Sequence, residues 1–228
     1  MSKVYGLIFD VDGVIADTET LNARATARVF AELFGLDNVV REDFNAGIGR
    51  AAEEYVKAGL IAHGIVPTYQ QIQKATRIRQ EYFIQIINDE SLQPFPGVLE
   101  LMKEAMKNEN FRLAIATSGT LEKSRAVLNA AKVPYEKMVY VNGQDVEHKK
   151  PCPDLFLLAA KHMAIALADC VIIEDSPNGI QAAKAVGSKC IAVTNTFTAK
   201  NLKEADLICE SLEEITLDTV TELIGESV

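Results

Sequence analysis

Short apolar runs, each followed by polar residues, recur along the chain and predict a buried sheet. The runs cover residues 7–9, 113–117, 138–141, 171–173 and 191–193. Apolar runs of this length without alternation are typical of strands that are buried on both faces. Helical patterns lie between the later runs. Strands that alternate with helices predict an α/β fold with a doubly wound, Rossmann-like parallel sheet.

A helical segment follows the first strand directly and interrupts the alternation. Asp17 or Thr18 is expected to cap its first helix, because short polar side chains accept hydrogen bonds from free N–H groups at a helix start. The apolar positions of that helix recur every four residues, at Leu21, Ala25, Val29 and Leu33. The spacing stays helical to about Asn88, and a stretch this long without strands indicates a separate domain. We predict a core domain of residues 1–16 and 92–228 and an inserted helical cap of residues 17–91.

The return to the sheet passes through a proline-rich segment at residues 93–97. The helix predicted after it carries Val98, Leu101, Met102 and Ala105 on one face. Near the end of the chain, Ser211 and Glu214 have the spacing of a capping box for a last short helix.

Composition narrows the classes of function. With 48% hydrophobic residues, the 228-residue chain can bury a substantial core. A net charge of −9 disfavours nucleic acid and anionic membrane surfaces as partners. A small anion remains possible as a ligand, because local donors or a metal can override the global charge.

Other features of the sequence point to the cytoplasm. The beginning of the chain offers no secretory apolar segment, and no run is apolar enough to span a membrane. The four cysteines are widely spaced and match no metal-binding pattern, so reduced thiols are expected. We predict a cytoplasmic protein without nucleic-acid or membrane partners.

Polar residues follow several of the predicted strands. They are Asp10 and Asp12, then Thr117 and Ser118, then Glu174 and Asp175. In an open parallel sheet, ligands bind beyond the carboxyl ends of the strands, so these residues are expected to meet at one edge. Lys150 precedes a helix predicted to begin near Asp154 and can reach the same edge.

This set of residues suits phosphoryl transfer. A carboxylate can attack phosphorus and hold the group covalently, and Asp10, at the end of its strand, is the better candidate for that role. Asp12 is then placed to protonate the leaving oxygen and later to deprotonate a water. Mg²⁺ suits Asp10, Asp175 and a backbone carbonyl near Asp12, because it prefers oxygen ligands.

The remaining groups would bind the phosphoryl oxygens. Lys150 adds positive charge against the transferring group. Thr117, Ser118 and Gly119 offer hydroxyl and N–H groups at a helix start, which is a natural phosphate site.

Each feature also has a purely structural interpretation. The acids at Glu174 and Asp175 suit the positive end of a helix dipole. Residues 117–120 can act as a helix cap, and Lys150 can be a solvated surface charge. Their occurrence together, in order and at strand ends, favours the functional interpretation.

Four segments carry a family resemblance: FDVDGVIADTE, AIATSG, KKPCPDLF and IIEDSPNGIQAAKAVG. They resemble the motifs of the haloacid dehalogenase superfamily, in the subgroup with a helical cap that includes β-phosphoglucomutases and sugar-phosphate phosphatases. The resemblance implies Asp10 as nucleophile and Asp12 as general acid/base. It also implies that Thr117 and Lys150 bind the phosphoryl group. The metal site that it implies lies at Asp10, Asp12 and Asp175, with Glu174 supporting the metal directly or through water.

Within the subgroup the sequence favours a phosphatase over a mutase. The β-phosphoglucomutases have a histidine where this chain has Asn22, and their cap lysine falls near Ile78 by ungapped counting. Their cap arginine does have a match, in Arg50. We therefore predict a monomeric, Mg²⁺-dependent phosphatase for a small phosphorylated metabolite, with Asn22 and Arg50 facing the substrate. A mutase is the alternative, and a surface position after a glycine turn is the alternative for Arg50.

Two other classes fit less well. Signalling receiver modules also use a phosphorylated aspartate, but they have no helical insert and place that aspartate in the middle of the chain. A catalytically silent protein of the same fold is disfavoured because Asp10, Asp12, Lys150 and Asp175 are all present.

Overall fold

The described part of the chain contains a six-stranded parallel sheet. The computed structural model describes residues 3–49 and 51–225. The strands are β1 (Tyr5–Phe9), β2 (Phe111–Ala116), β3 (Val139–Val141), β4 (Cys170–Glu174), β5 (Lys189–Val193) and β6 (Leu207–Cys209). Their order in the sheet is β3-β2-β1-β4-β5-β6, and all neighbouring pairs are parallel. The predicted doubly wound α/β fold is therefore confirmed.

The helices are α1 (Thr18–Phe34), α2 (Ala52–Ala62), α3 (Tyr69–Asp89), α4 (Val98–Lys107), α5 (Leu121–Ala130), α6 (Asp154–Met163), α7 (Pro177–Ala185) and α8 (Leu217–Gly225). Short 3₁₀ helices cover Arg41–Phe44, Tyr135–Lys137, Leu167–Asp169 and Leu212–Glu214. From β1 the chain builds one half of the sheet through β2 and β3, then crosses to β4 and builds the other half. The order reverses beside β1, and this is where ligands bind in open α/β sheets.

The core lies where the helices cover the sheet. Residues of β1, β2 and β4 such as Ile8, Ala114 and Ile172 are fully buried against apolar residues of α6 and α7 such as Phe156 and Ile180. Helix α4 buries the four apolar residues predicted for its inner face. Burial of this kind fixes the strands, and with them the loops at their carboxyl ends.

The chain divides into two compact units. One comprises Met1–Asp17 and Leu92–Val228, and the other comprises Thr18–Ser91. The second unit consists of α1, α2, α3 and the 3₁₀ helix Arg41–Phe44, and it has its own apolar core. In that core the rings of Phe44 and Tyr55 stack with their centroids 4.7 Å apart. Thr68 caps α3 through a hydrogen bond from the Gln71 N–H.

Two details at the end of the core unit differ from the sequence prediction. The prediction contains no strand at β6, although Leu207, Ile208 and Cys209 form an apolar run as long as others that were predicted as strands. The capping box of Ser211 and Glu214 is present, but it begins the 3₁₀ helix Leu212–Glu214 and not the last helix, α8.

Over the described parts of the chain, no helix combines the length and apolar character that crossing a membrane requires. The cysteines are free thiols, with Cys152 exposed and Cys170, Cys190 and Cys209 buried.

Candidate active site

The loop after β1 turns sharply at its glycine. The Asp10 N–H donates to the Ile173 carbonyl at 3.0 Å, which continues the pairing of β1 with β4 by one residue. The Ile15 N–H donates to the Val11 carbonyl at 2.9 Å, and Gly13 has a φ of 78°. Only glycine adopts this left-handed conformation without a steric penalty. Val11 is fully buried, so the loop is anchored to the core between the two aspartates.

Lys150 lies at the centre of the site. Its ammonium donates to Asp10 Oδ1 at 2.5 Å, to Glu174 Oε1 at 2.7 Å and to the Ala116 carbonyl at 3.0 Å. Its side chain is only 7% exposed. Lys150 is therefore a buried charge that joins the ends of β1, β2 and β4, and not a solvated surface residue.

Three buried carboxylates surround this ammonium. Carboxylate oxygens of Asp10, Glu174 and Asp175 all lie within 4.8 Å of one another. With all three carboxyl groups ionised, the cluster holds more negative charge than the lysine can balance. A hard cation with oxygen ligands fits this donor set, since it would offset the repulsion among the carboxylates.

Burial and the neighbouring charges shift the pKa values of the groups in this cluster. Burial raises the pKa of Asp10 to about 7; the nearby Glu174 and Asp12 carboxylates add to this rise, and Lys150 opposes it. Burial, together with Glu174 and Asp10, also raises the pKa of Asp175. Burial alone would lower the pKa of Lys150, but the Asp10 and Glu174 carboxylates reverse this and raise it. Lys150 is therefore a permanent positive charge at neutral pH.

Glu174 is held by the protein through both carboxylate oxygens. Oε1 accepts from Lys150, while Oε2 accepts from the Asp175 N–H at 3.0 Å and from the Ser176 hydroxyl at 2.9 Å. A β-carbon at Gly179 would overlap the Glu174 carboxylate. Because Glu174 is packed closely and hydrogen-bonded on both oxygens, it is suited to orient Lys150 and Asp175.

The caps of helices α5 and α7 are formed by residues that lie beside the predicted site residues. Ser176 caps α7 by accepting from the Gly179 N–H at 3.1 Å. Helix α5 is capped by Thr120 and not by Thr117. Both helices start at the carboxyl edge of the sheet, so the predicted site residues lie next to the caps without serving as caps.

The loop after β2 presents groups suited to a phosphate. Thr117 is fully buried, and its hydroxyl accepts from the Gly119 N–H at 3.0 Å. The Ser118 hydroxyl is buried and has no hydrogen-bond partner in the part of the chain that is described. A β-carbon at Gly119 would lie 3.3 Å from the Thr117 hydroxyl oxygen and 3.7 Å from Asp12 Oδ2. The space beside Gly119 is thus bordered by Asp12 from the loop after β1 and by Thr117 from the loop after β2.

Three further residues at this edge were not among the predicted site residues. Lys123 of α5 donates to Asp12 Oδ1 at 2.8 Å. Asn195 donates to the Gly13 carbonyl at 2.9 Å, and the Thr196 hydroxyl bonds to Asp175. Asn195 and Thr196 follow β5, so the rule that ligands bind beyond strand ends could have found them. Lys123 carried no comparable signal, because it lies on a helix whose orientation the sequence does not give.

Two residues of the helical segment are predicted to face the substrate. Asn22 lies on α1 in the helical unit, is 5% exposed and donates to Glu19 Oε1 at 3.2 Å. Arg50 lies outside the residues that the structure describes. Their predicted contact with the substrate stays a prediction.

The fold and this site define a doubly wound α/β protein with a carboxylate–lysine centre at the carboxyl edge of its sheet. Residues 7–193 match the family model of haloacid dehalogenase-like hydrolases, and the chain belongs to that family. The resemblance noted from the sequence is thereby confirmed.

The relatives include phosphatases and a mutase. The chain is 31% identical over 213 residues to Hexitol phosphatase A of Escherichia coli, covering 93% of each chain. It is 28% identical over 222 residues to Beta-phosphoglucomutase of Bacillus subtilis, covering 95% of this chain and 93% of the relative. It is 33% identical over 221 residues to Protein SUPPRESSOR OF QUENCHING 1, chloroplastic, of Arabidopsis thaliana, but its match spans only 21% of that protein's length.

Among solved structures, CbbY from Rhodobacter sphaeroides in complex with phosphate has a TM-score of 0.82 and 30% identity, over 96% of this chain and 99% of that one. A second crystal structure of CbbY, a mutant in complex with xylulose-(1,5)bisphosphate, has a TM-score of 0.78 and 30% identity, over 92% of this chain and 96% of that one. Together the comparisons support a hydrolase of phosphoric monoesters.

Proposed function

We propose that this protein is a Mg²⁺-dependent phosphatase that hydrolyses a small phosphorylated metabolite, of the sugar-phosphate class, through an aspartyl-phosphate intermediate. The observation that carries the proposal is the buried contact between Lys150 and Asp10, beside Glu174 and Asp175. A carboxylate held at a strand end next to a permanent positive charge suits nucleophilic attack on a phosphate ester.

The reaction proceeds in two steps. An Asp10 carboxylate oxygen attacks phosphorus, the bond from phosphorus to the ester oxygen breaks, and Asp12 gives its proton to the leaving alcohol. Asp12, now a carboxylate, then takes a proton from a water that attacks the phosphorus. Inorganic phosphate leaves and Asp10 is regenerated, with Asp12 again protonated.

The other residues bind and neutralise the phosphoryl group. Lys150 offsets its negative charge, and the Thr117 and Ser118 hydroxyls offer hydrogen bonds to its oxygens. The Gly119 N–H, which donates to the Thr117 hydroxyl in this structure, would have to turn from that hydroxyl to a phosphoryl oxygen to add a third. Asp10, Asp175 and an oxygen near Asp12 would hold Mg²⁺, and Glu174 would orient them. The cation would supply positive charge at the phosphoryl oxygens.

The substrate class rests on the relatives and on the cap. Hexitol phosphatase A and the CbbY complex with xylulose-(1,5)bisphosphate support a phosphorylated sugar. Asn22 and Arg50 are proposed to face the sugar. A mutase that moves the phosphoryl group within glucose phosphate is the second candidate, favoured by the similarity to Beta-phosphoglucomutase.

The test is phosphate release across a panel of sugar phosphates and small phosphorylated acids with MgCl₂, with Asp10→Asn as the inactive control. Glucose 1-phosphate with a trace of glucose 1,6-bisphosphate forms a separate arm. Release from one ester far above the others, lost in the control, supports the phosphatase. Formation of glucose 6-phosphate with little free phosphate would instead establish the mutase.

The proposal also includes a monomeric, cytoplasmic enzyme without nucleic-acid or membrane partners. Light scattering of the purified protein tests the first point, and fractionation of its source cells tests the second. A stable dimer or a membrane-bound fraction would contradict it.

A further inference from the structure

Lys123 makes a partly buried ion pair with the residue that would act as general acid. Its ammonium lies 2.8 Å from Asp12 Oδ1, and its side chain is 14% exposed while that of Asp12 is 28% exposed. The two residues are 111 positions apart in the chain. Asp12 is held by the loop after β1, and Lys123 by the first turn of α5, so the contact joins two of the elements that form the site.

The position of Lys123 on its helix is unusual for a cation. Lys123 is the third residue of α5, and its backbone N–H donates to the capping hydroxyl of Thr120. The positive end of the helix dipole lies here and disfavours an ammonium. The Asp12 carboxylate compensates this cost, which indicates that the ammonium is directed toward the site.

The two oxygens of Asp12 have different surroundings. Oδ1 accepts from Lys123, whereas Oδ2 lies 3.7 Å from where a β-carbon on Gly119 would be and so borders the space beside Gly119. The Thr117 hydroxyl borders the same space. A phosphate ester bound at Thr117 and Gly119 would therefore meet Asp12 through Oδ2.

We propose that Lys123 is a positioning residue, which holds Oδ1 of Asp12 and thereby turns Oδ2 toward the leaving oxygen of the ester. The inference rests on the phosphatase function proposed above. It assigns Lys123 no contact with the substrate and no proton of its own. Its effect is orientation, and a misplaced acid delivers its proton more slowly.

Comparing activity on esters with different leaving groups distinguishes a positioning role for Lys123 from a purely structural one. Sugar esters leave as poor alkoxides that need a proton from Asp12, whereas p-nitrophenol leaves as a stable phenolate and needs little help. The quantity kcat/KM reports the first step alone, in which the leaving group departs. Loss of Lys123 should therefore slow the sugar phosphate selectively.

The experiment measures kcat/KM of Lys123→Met, Lys123→Arg and the unsubstituted protein on the best sugar phosphate of the panel and on p-nitrophenyl phosphate. For Lys123→Met we expect a fall of about 10- to 100-fold on the sugar phosphate and of no more than about threefold on p-nitrophenyl phosphate. Lys123→Arg keeps a donor for Oδ1 and should recover most of the sugar-phosphate activity. Lys103→Met, which removes an exposed lysine from α4, serves as the charge control and should change neither substrate.

Four results would overturn the inference. They are equal losses on both substrates, a rise in KM alone, unchanged kinetics in Lys123→Met, and failure of Lys123→Arg to restore the sugar-phosphate activity. An unsubstituted protein that turns over neither ester, or whose activity survives Asp10→Asn, would overturn the proposed function together with this inference.

Discussion

Gly13 approaches Asp175 so closely that a β-carbon at position 13 would overlap the Asp175 carboxylate. The same β-carbon would lie 2.5 Å from the Thr196 hydroxyl oxygen. Three loops, after β1, β4 and β5, therefore meet around a glycine. The space left by the missing side chain is what allows Asp175 to lie beside the Asp10 loop.

Replacing this glycine should disable the site. Gly13→Ala is expected to lower kcat/KM by about 100-fold or more, because displacing Asp175 disturbs the carboxylates around Asp10. Steady-state kinetics at saturating Mg²⁺ provide the measurement. Gly187→Ala is the matched control, since Gly187 also has a left-handed φ, of 72°, but no atom lies within 4 Å of its added β-carbon. It should lose about 1 kcal/mol of stability and keep its activity. Equal activity losses would point to backbone strain as the cause.

Lys150→Met is expected to abolish measurable turnover and to destabilise the fold by about 3–5 kcal/mol, because it leaves buried carboxylates without their cation. Urea unfolding in the presence of a chelator measures the second effect. Lys149→Met removes the neighbouring exposed lysine and should change neither quantity. A Lys150→Met protein that unfolds like the unsubstituted one would show that the ion pair contributes no net stability.

The pKa of Asp10 predicts how stability depends on pH without metal. The folded state raises this pKa from its ordinary value of 3.8 to about 7, first through burial and then through Glu174 and Asp12. Between these values the folded protein keeps a proton that the unfolded chain has released. The free energy of unfolding should therefore fall as pH rises from about 4 to about 7.

Asp10→Asn removes the part of this dependence that Asp10 contributes, while the part that comes from the raised pKa of Asp175 remains. In chelator, the variant should match the unsubstituted protein near pH 4 and exceed its free energy of unfolding by up to about 4 kcal/mol at pH 8. Urea unfolding at a series of pH values provides the measurement, with the exposed Asp37→Asn as control. A difference that stays constant over this pH range would mean that Asp10 ionises normally in the fold.

Much of this arrangement follows from the sequence, because strand ends in a parallel sheet share an edge. The runs before Asp10, Thr117 and Glu174 were long enough to predict as strands, so their convergence could be expected. The short strand β6 carries the same kind of apolar run, Leu207, Ile208 and Cys209, but the prediction did not include it. The pairing of Lys123 with Asp12 could not be predicted, because it depends on how α5 is rotated about its axis.

Gly179 offers a test of how Glu174 acts. Gly179 is the third residue of α7, where alanine would normally stabilise the helix by about 0.5–1 kcal/mol. Its added β-carbon would overlap the Glu174 carboxylate, which holds both Lys150 and the Asp175 N–H. We therefore expect Gly179→Ala to lower kcat by at least about tenfold even where the helix itself gains stability.

A double-mutant cycle identifies the cause. If Gly179→Ala acts by displacing Glu174, the double variant Gly179→Ala with Glu174→Ala should be no slower than Glu174→Ala alone, because the displaced group is already absent. The measurement is kcat for the four proteins, with thermal unfolding to confirm that each is folded. Losses that simply multiply would mean that Gly179 acts independently of Glu174, and the carboxylate's orientation would then not be what limits the reaction.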